Sequence, residues 1–469
     1  METAAMQSAN NPTPGSDAAA RGQWSSKLGF ILAAAGSAIG LGNIWRFPYM
    51  TGENGGAAFV VVYLACVFLV GVPLMFNELA LGRASGRNPI GAFTATMPGT
   101  PFVVTGVLCL LCCFLVLSYY SVIAGWTIGY AWNSLAHKSV AFERFAADPG
   151  TVLPLFALFL LLTILIVQGG VQKGIERWSK VLMPLLLLMC LVVILRSVTL
   201  PGAGAGIEYY LKPDFSKINM RVVMAALGQA FFSLSVGWGL MITYGSYMSK
   251  RENIVQCGFW VAMADTAVAL LGGFMVFPAV FAFGKAPDAG TALTFKTLPE
   301  VFAQMPAGGI VGCVFFLLLT VAALTSSISM LEVPVSYFID SGKARRKVAA
   351  WAVGGLAFLI GIPSALSTGA NEWLTHGITF AGKTGFLDVM DYVAGTVVIA
   401  LIALLCSLYV GWVWKTPNAI KEIEQGAPGF TRPLLGGISQ AKVWAVFVQI
   451  ICPAIVLVVL LNMLGLHLF

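Results

Sequence analysis

Gly36 to Arg46 reads GSAIGLGNIWR, near the middle of an apolar segment, Leu28 to Met50, that is long enough to cross a bilayer. Three glycines, Gly36, Gly40 and Gly42, fall inside this segment, and Asn43 and Arg46 follow at once. Hydrocarbon offers no partner to a freed peptide group, so backbone that unwinds at membrane depth has to line a cavity or hold an ion. An interrupted span therefore points to a binding site, and a second one at the matching place in the other half of the chain strengthens the pointer. Phe232 to Gly239, FSLSVGWG, is that second interruption, inside the apolar segment Val222 to Met248.

The rest of the composition agrees with a membrane reading. The 469 residues are 58% hydrophobic and 10% charged, with a mean hydropathy of +0.86. A soluble domain of this length would expose far more charge. The chain reads as an all-α polytopic membrane protein, and its net charge of +7 reflects loop lysines and arginines, with no need of nucleic acid to explain it. Nine cysteines all fall in apolar segments without paired spacing, as small packing residues do. His137, His376 and His467 are scattered, which argues against a metal enzyme. Residues 1–22 read as a disordered tail.

Apolar runs predict further spans near Ala57 to Leu81, Pro101 to Ala131, Val152 to Gln168, Trp178 to Arg196, Val255 to Phe283, Gly308 to Phe338, Val348 to Ile362, Phe386 to Val413 and Val443 to Leu466. The total is about eleven. Lys and Arg concentrate before span one and after the even-numbered spans, which places the N-terminus in the cytoplasm. The interrupted spans, one and six, are five apart, as two inverted five-helix repeats would give. The chain then divides into the tail, a first repeat over 23–218, a second over 219–414, and 415–469 with span eleven. Phe295 to Met305 has helical spacing and is expected to form an outer helix dipping toward the centre. Pro417 to Gln425 is expected to lie as an amphipathic stretch on the membrane surface.

A broken helix leaves free N–H groups, which suit a carboxylate, and free C=O groups, which suit a cation. A place with both would bind an amino acid beside Na+. Ser37, Asn43, Ser233 and Ser235 add neutral oxygen donors at the breaks, hard enough for an alkali ion. Asp265, in GFWVAMADTAVALLGG, is an intramembrane carboxylate and so a functional candidate, against the plainer reading that it pairs with a neighbouring helix. The hydroxyls of Ala322 to Ser327, AALTSS, taken alone would as readily bond their own backbone.

GSAIGLGNIWRFPY with ENGGAAF, then GQAFFSLSVGWG, ALTSSISMLE and MDYVAGT together resemble the neurotransmitter:sodium symporter family, in order from about Gln23 onward. The resemblance implies a sodium-coupled amino-acid symporter of the bacterial leucine-transporter type, working by alternating access in the inner (plasma) membrane and driven by the ion gradient. It implies a first sodium site on Ala38, Asn43, Ser233 and Asp265, completed by the substrate carboxylate. It implies a second on Gly36, Ile39, Ala322, Thr325 and Ser326. Tyr120 and the amides of Leu41 and Gly42 would hold the carboxylate. Phe232, Ser235 and Ala38 would take the ammonium group, with Ser37 nearby. Val116, Ile123, Ser326 and Met330 would line the side-chain pocket. Arg46 and Asp391, with Phe232 as lid, resemble the outer gate, and Arg21, Trp24, Tyr247 and Asp340 the inner one.

Two positions refine the expectation. Chloride-requiring animal members carry a neutral residue where this chain has Asp265, so no chloride requirement is expected. Trp238 resembles the glycine transporters and would shrink the pocket toward glycine or alanine. The rival readings are the same mechanism with a large hydrophobic or aromatic substrate, and a sensor that binds an amino acid without transporting it. No nucleophile and base recur on facing spans, so an enzyme is not expected.

Overall fold

In the computed structural model, residues 22–138, 140–287, 293–433 and 435–465 are described. Nine helices among them are long and apolar enough to cross a membrane unbroken. They are Ala57–Ser85 (span two), Val103–Leu135 (three), Pro149–Val167 (four), Val171–Val198 (five), Ile254–Ala282 (seven), Gly308–Asp340 (eight), Arg346–Leu366 (nine), Phe386–Val413 (ten) and Gln440–Met463 (eleven). Span one is a pair of half-helices, Lys27–Ala38 and Gly42–Glu53, bent by 52° at the break. Span six is another pair, Met220–Ser233 and Leu240–Gly245. The breaks thus fall in the first and sixth of eleven spans, as a five-plus-five repeat requires.

Local chemistry sets the ends of the half-helices. The Ser26 hydroxyl accepts from the Gly29 N–H at the start of span one, and the Asn219 side chain accepts from the Val222 N–H at the start of span six. Each satisfies a donor that the first turn leaves free. Span six cannot continue through its break because Ser235, Gly237 and Gly239 have φ of 54°, 84° and 75°, in the left-handed region that a right-handed helix excludes.

Spans three and eight run along each other at the centre, with Thr127 and Thr320 hydroxyls 2.8 Å apart. Leucines such as Leu188, Leu195 and Leu359 point outward at 60% exposure or more, a surface suited to hydrocarbon. Span two grips the second half of span six at glycine contacts. A Cβ on Gly82 would sit 2.0 Å from the Ile242 carbonyl oxygen, and one on Gly245 would sit 2.7 Å from that of Leu79.

The segment expected to dip inward does so. Leu298–Gln304 forms a helix after a wide turn at Leu293–Thr297, and Phe295 lies among Trp45, Trp126, Tyr130, Phe142 and Phe316. The stretch expected on the membrane surface behaves differently. Thr416–Glu424 buries Ala419, Glu422 and Ile423 against the protein. The reason is Glu422, on the buried face, which accepts from Arg83 Nε at 2.7 Å and from Lys250 Nζ at 2.8 Å.

Candidate functional site between the two breaks

The first break closes on oxygen. The Ser37 carbonyl accepts from the hydroxyls of Ser235 (3.0 Å) and Ser326 (3.1 Å), so spans one, six and eight meet at one peptide oxygen. Freed carbonyls at membrane depth are thus answered by side chains.

On one side of this junction, Asn43 Nδ2 lies 2.7 Å from Asp265 Oδ1 and 3.0 Å from Ser233 Oγ, while Ser233 Oγ donates to Asp265 Oδ2 at 2.8 Å. All three residues are fully buried. Asn43 Oδ1 accepts from the Gly40 N–H at 3.1 Å. Residues from spans one, six and seven therefore meet in one small volume, where Ser233 and Asp265 present oxygens and Asn43 turns its amide nitrogen toward them. Such a set suits a hard monovalent cation. Ala38, the last residue of the first half-helix, is buried beside them in sequence.

On the other side, Thr325 Oγ1 lies 2.9 Å from the Ala322 oxygen and 3.4 Å from that of Ile39, and Ser326 Oγ lies 3.4 Å from each of the same two. Gly36 faces Thr325, whose Cβ would be 3.2 Å from an added methyl. The five residues named for a second cation come together between spans one and eight.

The residues named for the substrate pack around the first break and its neighbours. The Leu41 N–H donates to the Tyr120 hydroxyl at 3.2 Å. The Phe232 ring lies against Gly42, whose Cβ would meet it at 2.8 Å. Trp238 is buried edge-on to Phe232 with ring centres 5.7 Å apart. Val116, Ile123 and Met330 are buried on spans three and eight.

The gate residues divide. The Arg46 guanidinium lies over the Phe232 ring, 4.7 Å from its centre. Asp391 instead accepts from the Tyr119 hydroxyl at 2.9 Å. Among the described residues no ion pair within 4.0 Å joins Arg46 to Asp391, so the direct pairing expected from sequence is replaced by an aromatic contact on one side and a phenol on the other. On the face where span one begins, Trp24 Nε1 donates to the Tyr244 carbonyl at 3.0 Å and its ring meets Tyr247. Asp340 Oδ2 accepts from the backbone and side chain of Asn88, both at 2.7 Å. Arg21 lies outside the described residues.

Sequence reasoning missed several partners. Tyr63 reaches Ser233 Oγ at 3.3 Å, and Gln229 Nε2 donates to the Gly42 carbonyl at 2.8 Å. Glu78 accepts from the Gly237 N–H at 2.6 Å, holding the second break from span two. Glu332 accepts from the Tyr247 hydroxyl at 2.6 Å and pairs with Arg346. The rule that singled out Asp265 would have found Glu78 and Glu332, which also sit in apolar runs.

Comparison with known proteins identifies the family. The model of the sodium:neurotransmitter symporter family matches residues 21–144 and 137–467. An uncharacterised sodium-dependent transporter of Bacillus subtilis is 39% identical over 94% of this chain and 98% of its own length. One from Haemophilus influenzae is 35% identical over 94% and 98%. The crystal structure of MhsT in complex with L-phenylalanine superposes with a TM-score of 0.85 at 43% identity, covering 94% of this chain and all of that one. With both breaks, the cluster between them and the match over nearly its full length, the chain belongs to the sodium:neurotransmitter symporter family and is a sodium-dependent membrane transporter.

Proposed function

We propose that the chain imports an amino acid together with sodium by alternating access. The observation that carries this is the Asn43–Ser233–Asp265 cluster, which joins both broken spans to a buried carboxylate. A sodium ion on Ala38, Asn43, Ser233 and Asp265 would lie next to the carboxylate of a substrate held by Tyr120 and the amides of Leu41 and Gly42. Each charge favours the other in a medium of low dielectric, which couples the two binding events. A second sodium on Gly36, Ile39, Ala322, Thr325 and Ser326 would bridge spans one and eight. Arg46, Phe232 and Asp391 would close the opposite face, and Trp24, Tyr247 and Asp340 the face with the N-terminus, which we place in the cytoplasm across the plasma membrane. Each net charge carried inward gains about 2.3 kcal/mol per 100 mV of membrane potential.

Asp265 supplies a fixed negative charge next to the first cation, so uptake should not require chloride. Replacing chloride by gluconate should leave the rate unchanged, and a strong loss would count against this role. Trp238 favours a small neutral substrate, glycine or alanine, because an indole packed on Phe232 takes volume from the pocket. Each methylene in such a pocket discriminates by about 1 to 3 kcal/mol. The L-phenylalanine bound in MhsT favours the second reading, a large hydrophobic or aromatic amino acid.

Uptake of radiolabelled glycine, alanine, leucine, phenylalanine and tryptophan into proteoliposomes, with Na+ or K+ outside, separates the two. Sodium-dependent accumulation led by glycine or alanine supports the small pocket. Accumulation led by the larger substrates keeps the mechanism and removes the Trp238 argument. Binding of an amino acid with no accumulation would turn the reading toward a sensor.

A further inference from the structure

Span three carries two adjacent tyrosines. Tyr120 points its hydroxyl at the first break, and Tyr119, 2% exposed, sends its own toward span ten, where it donates to Asp391 Oδ1 at 2.9 Å. The contact has a space made for it. One turn beyond Asp391 stands Gly395, where a Cβ would lie 2.3 Å from the Tyr119 hydroxyl and 2.9 Å from Asp391 Oδ1. A side chain at 395 would force one or both of these groups to shift. Arg46, the cation nearest in role, is placed over Phe232 instead.

We infer that Tyr119 is a positioning residue of the outer gate: its hydroxyl holds the Asp391 carboxylate off Arg46 and so sets how readily that gate closes. The inference rests on the reading of Arg46 and Asp391 as gate partners. A phenol bound to a carboxylate is a charge-assisted hydrogen bond, comparable in kind with the bond the guanidinium would make in its place. Asp391 therefore has two alternative donors, one fixed on span three and one carried by the broken span one. Such a two-position carboxylate gives the gate two states whose balance the tyrosine biases.

The test needs no substrate. Hydrogen exchange of the amides in residues 42–53 is followed on the purified protein in sodium without amino acid, for the wild type and for Tyr119→Phe, Gly395→Ala, Asp391→Asn, Arg46→Met and Tyr119→Phe combined with Asp391→Asn. Tyr119→Phe keeps the ring and removes the donor, so Asp391 turns to Arg46 and exchange slows by about fivefold or more, the lower end of usual coupling between linked groups. Gly395→Ala, which displaces the same contact, acts in the same direction. In the Asp391→Asn background the phenylalanine has no further effect. Faster exchange in Tyr119→Phe, or equal slowing with and without Asp391, would overturn the inference and leave Tyr119 as packing. If Asp391→Asn and Arg46→Met themselves leave exchange at 42–53 unchanged, the gate reading beneath it is what fails.

Discussion

The two ends of the molecule are held by different kinds of charge. At the end where span one begins, three paired carboxylates among the described residues are buried: Glu332 with Arg346, Glu422 with Arg83 and Lys250, Glu176 with Lys180, at 0%, 7% and 2% side-chain exposure. At the other end Glu208, Glu300 and Glu143, paired with Lys212, Lys285 and Lys296, are 66%, 59% and 66% exposed. An exposed pair contributes about 1 kcal/mol or less and fades with salt. Removing one partner of a buried pair strands the other charge and destabilises by about 3 to 5 kcal/mol. The buried pairs at the first end thus resist being broken singly, and the exposed pairs at the other exchange readily with water. The buried set also joins separate elements: Glu332 on span eight binds Tyr247 beyond span six and Arg346 on span nine, and Glu176 on span five binds Ser25 ahead of span one.

Four substitutions grade this contrast. Glu332→Gln leaves Arg346 without its bidentate partner, at 2.7 and 2.9 Å, and should remove about 3 kcal/mol or more. It should give the largest fall in thermal stability in detergent, with faster labelling of cysteines introduced at the N-terminal end. Glu422→Gln should cost less, about 2 kcal/mol, because Arg83 keeps the carbonyl oxygens of Glu252 and Glu422 as acceptors. Ser25→Ala removes a single hydroxyl from Glu176, whose carboxylate still has the Ser25 N–H at 2.8 Å and Lys180 at 2.7 Å. About 1 kcal/mol is expected, read in the same melting series.

The smallest change belongs to the opposite end. Hydrogen bonding to Lys296 holds the Glu143 carboxyl below its ordinary range, so the pair contributes at neutral pH and is lost as pH falls through that lowered value. Because Glu143 is solvent-exposed, Glu143→Gln should cost less than about 1 kcal/mol, and the difference should vanish in high salt. A Glu143→Gln penalty matching that of Glu332→Gln would break the comparison.

Much of this architecture is legible in the sequence. Glycines and polar residues inside apolar runs mark both breaks, because lipid tolerates neither without a reason. Asp265 stands out for the same cause. What stays hidden are pairings across distance: Arg83 meets Glu422 339 residues away, and no periodicity joins them. The 417–425 stretch reads as a surface helix because its apolar stripe fits a membrane or a protein equally well, and only the partner decides. Tyr119 carries no signal of its own beside a neighbour that a motif names; adjacent helix residues point about 100° apart, so the two serve different spans.

The glycine seam between span two and the second half of span six has a consequence at the level of heredity. Every missense change in a glycine codon adds at least a Cβ, and at Gly82 and Gly245 that atom would meet a backbone oxygen at 2.0 and 2.7 Å. No amino-acid replacement at these codons is conservative, whatever its polarity. In a library of random variants selected for uptake, the seam should stand out as two codons that accept only silent changes, while Gly204 and Gly355, with open space around them, drift freely.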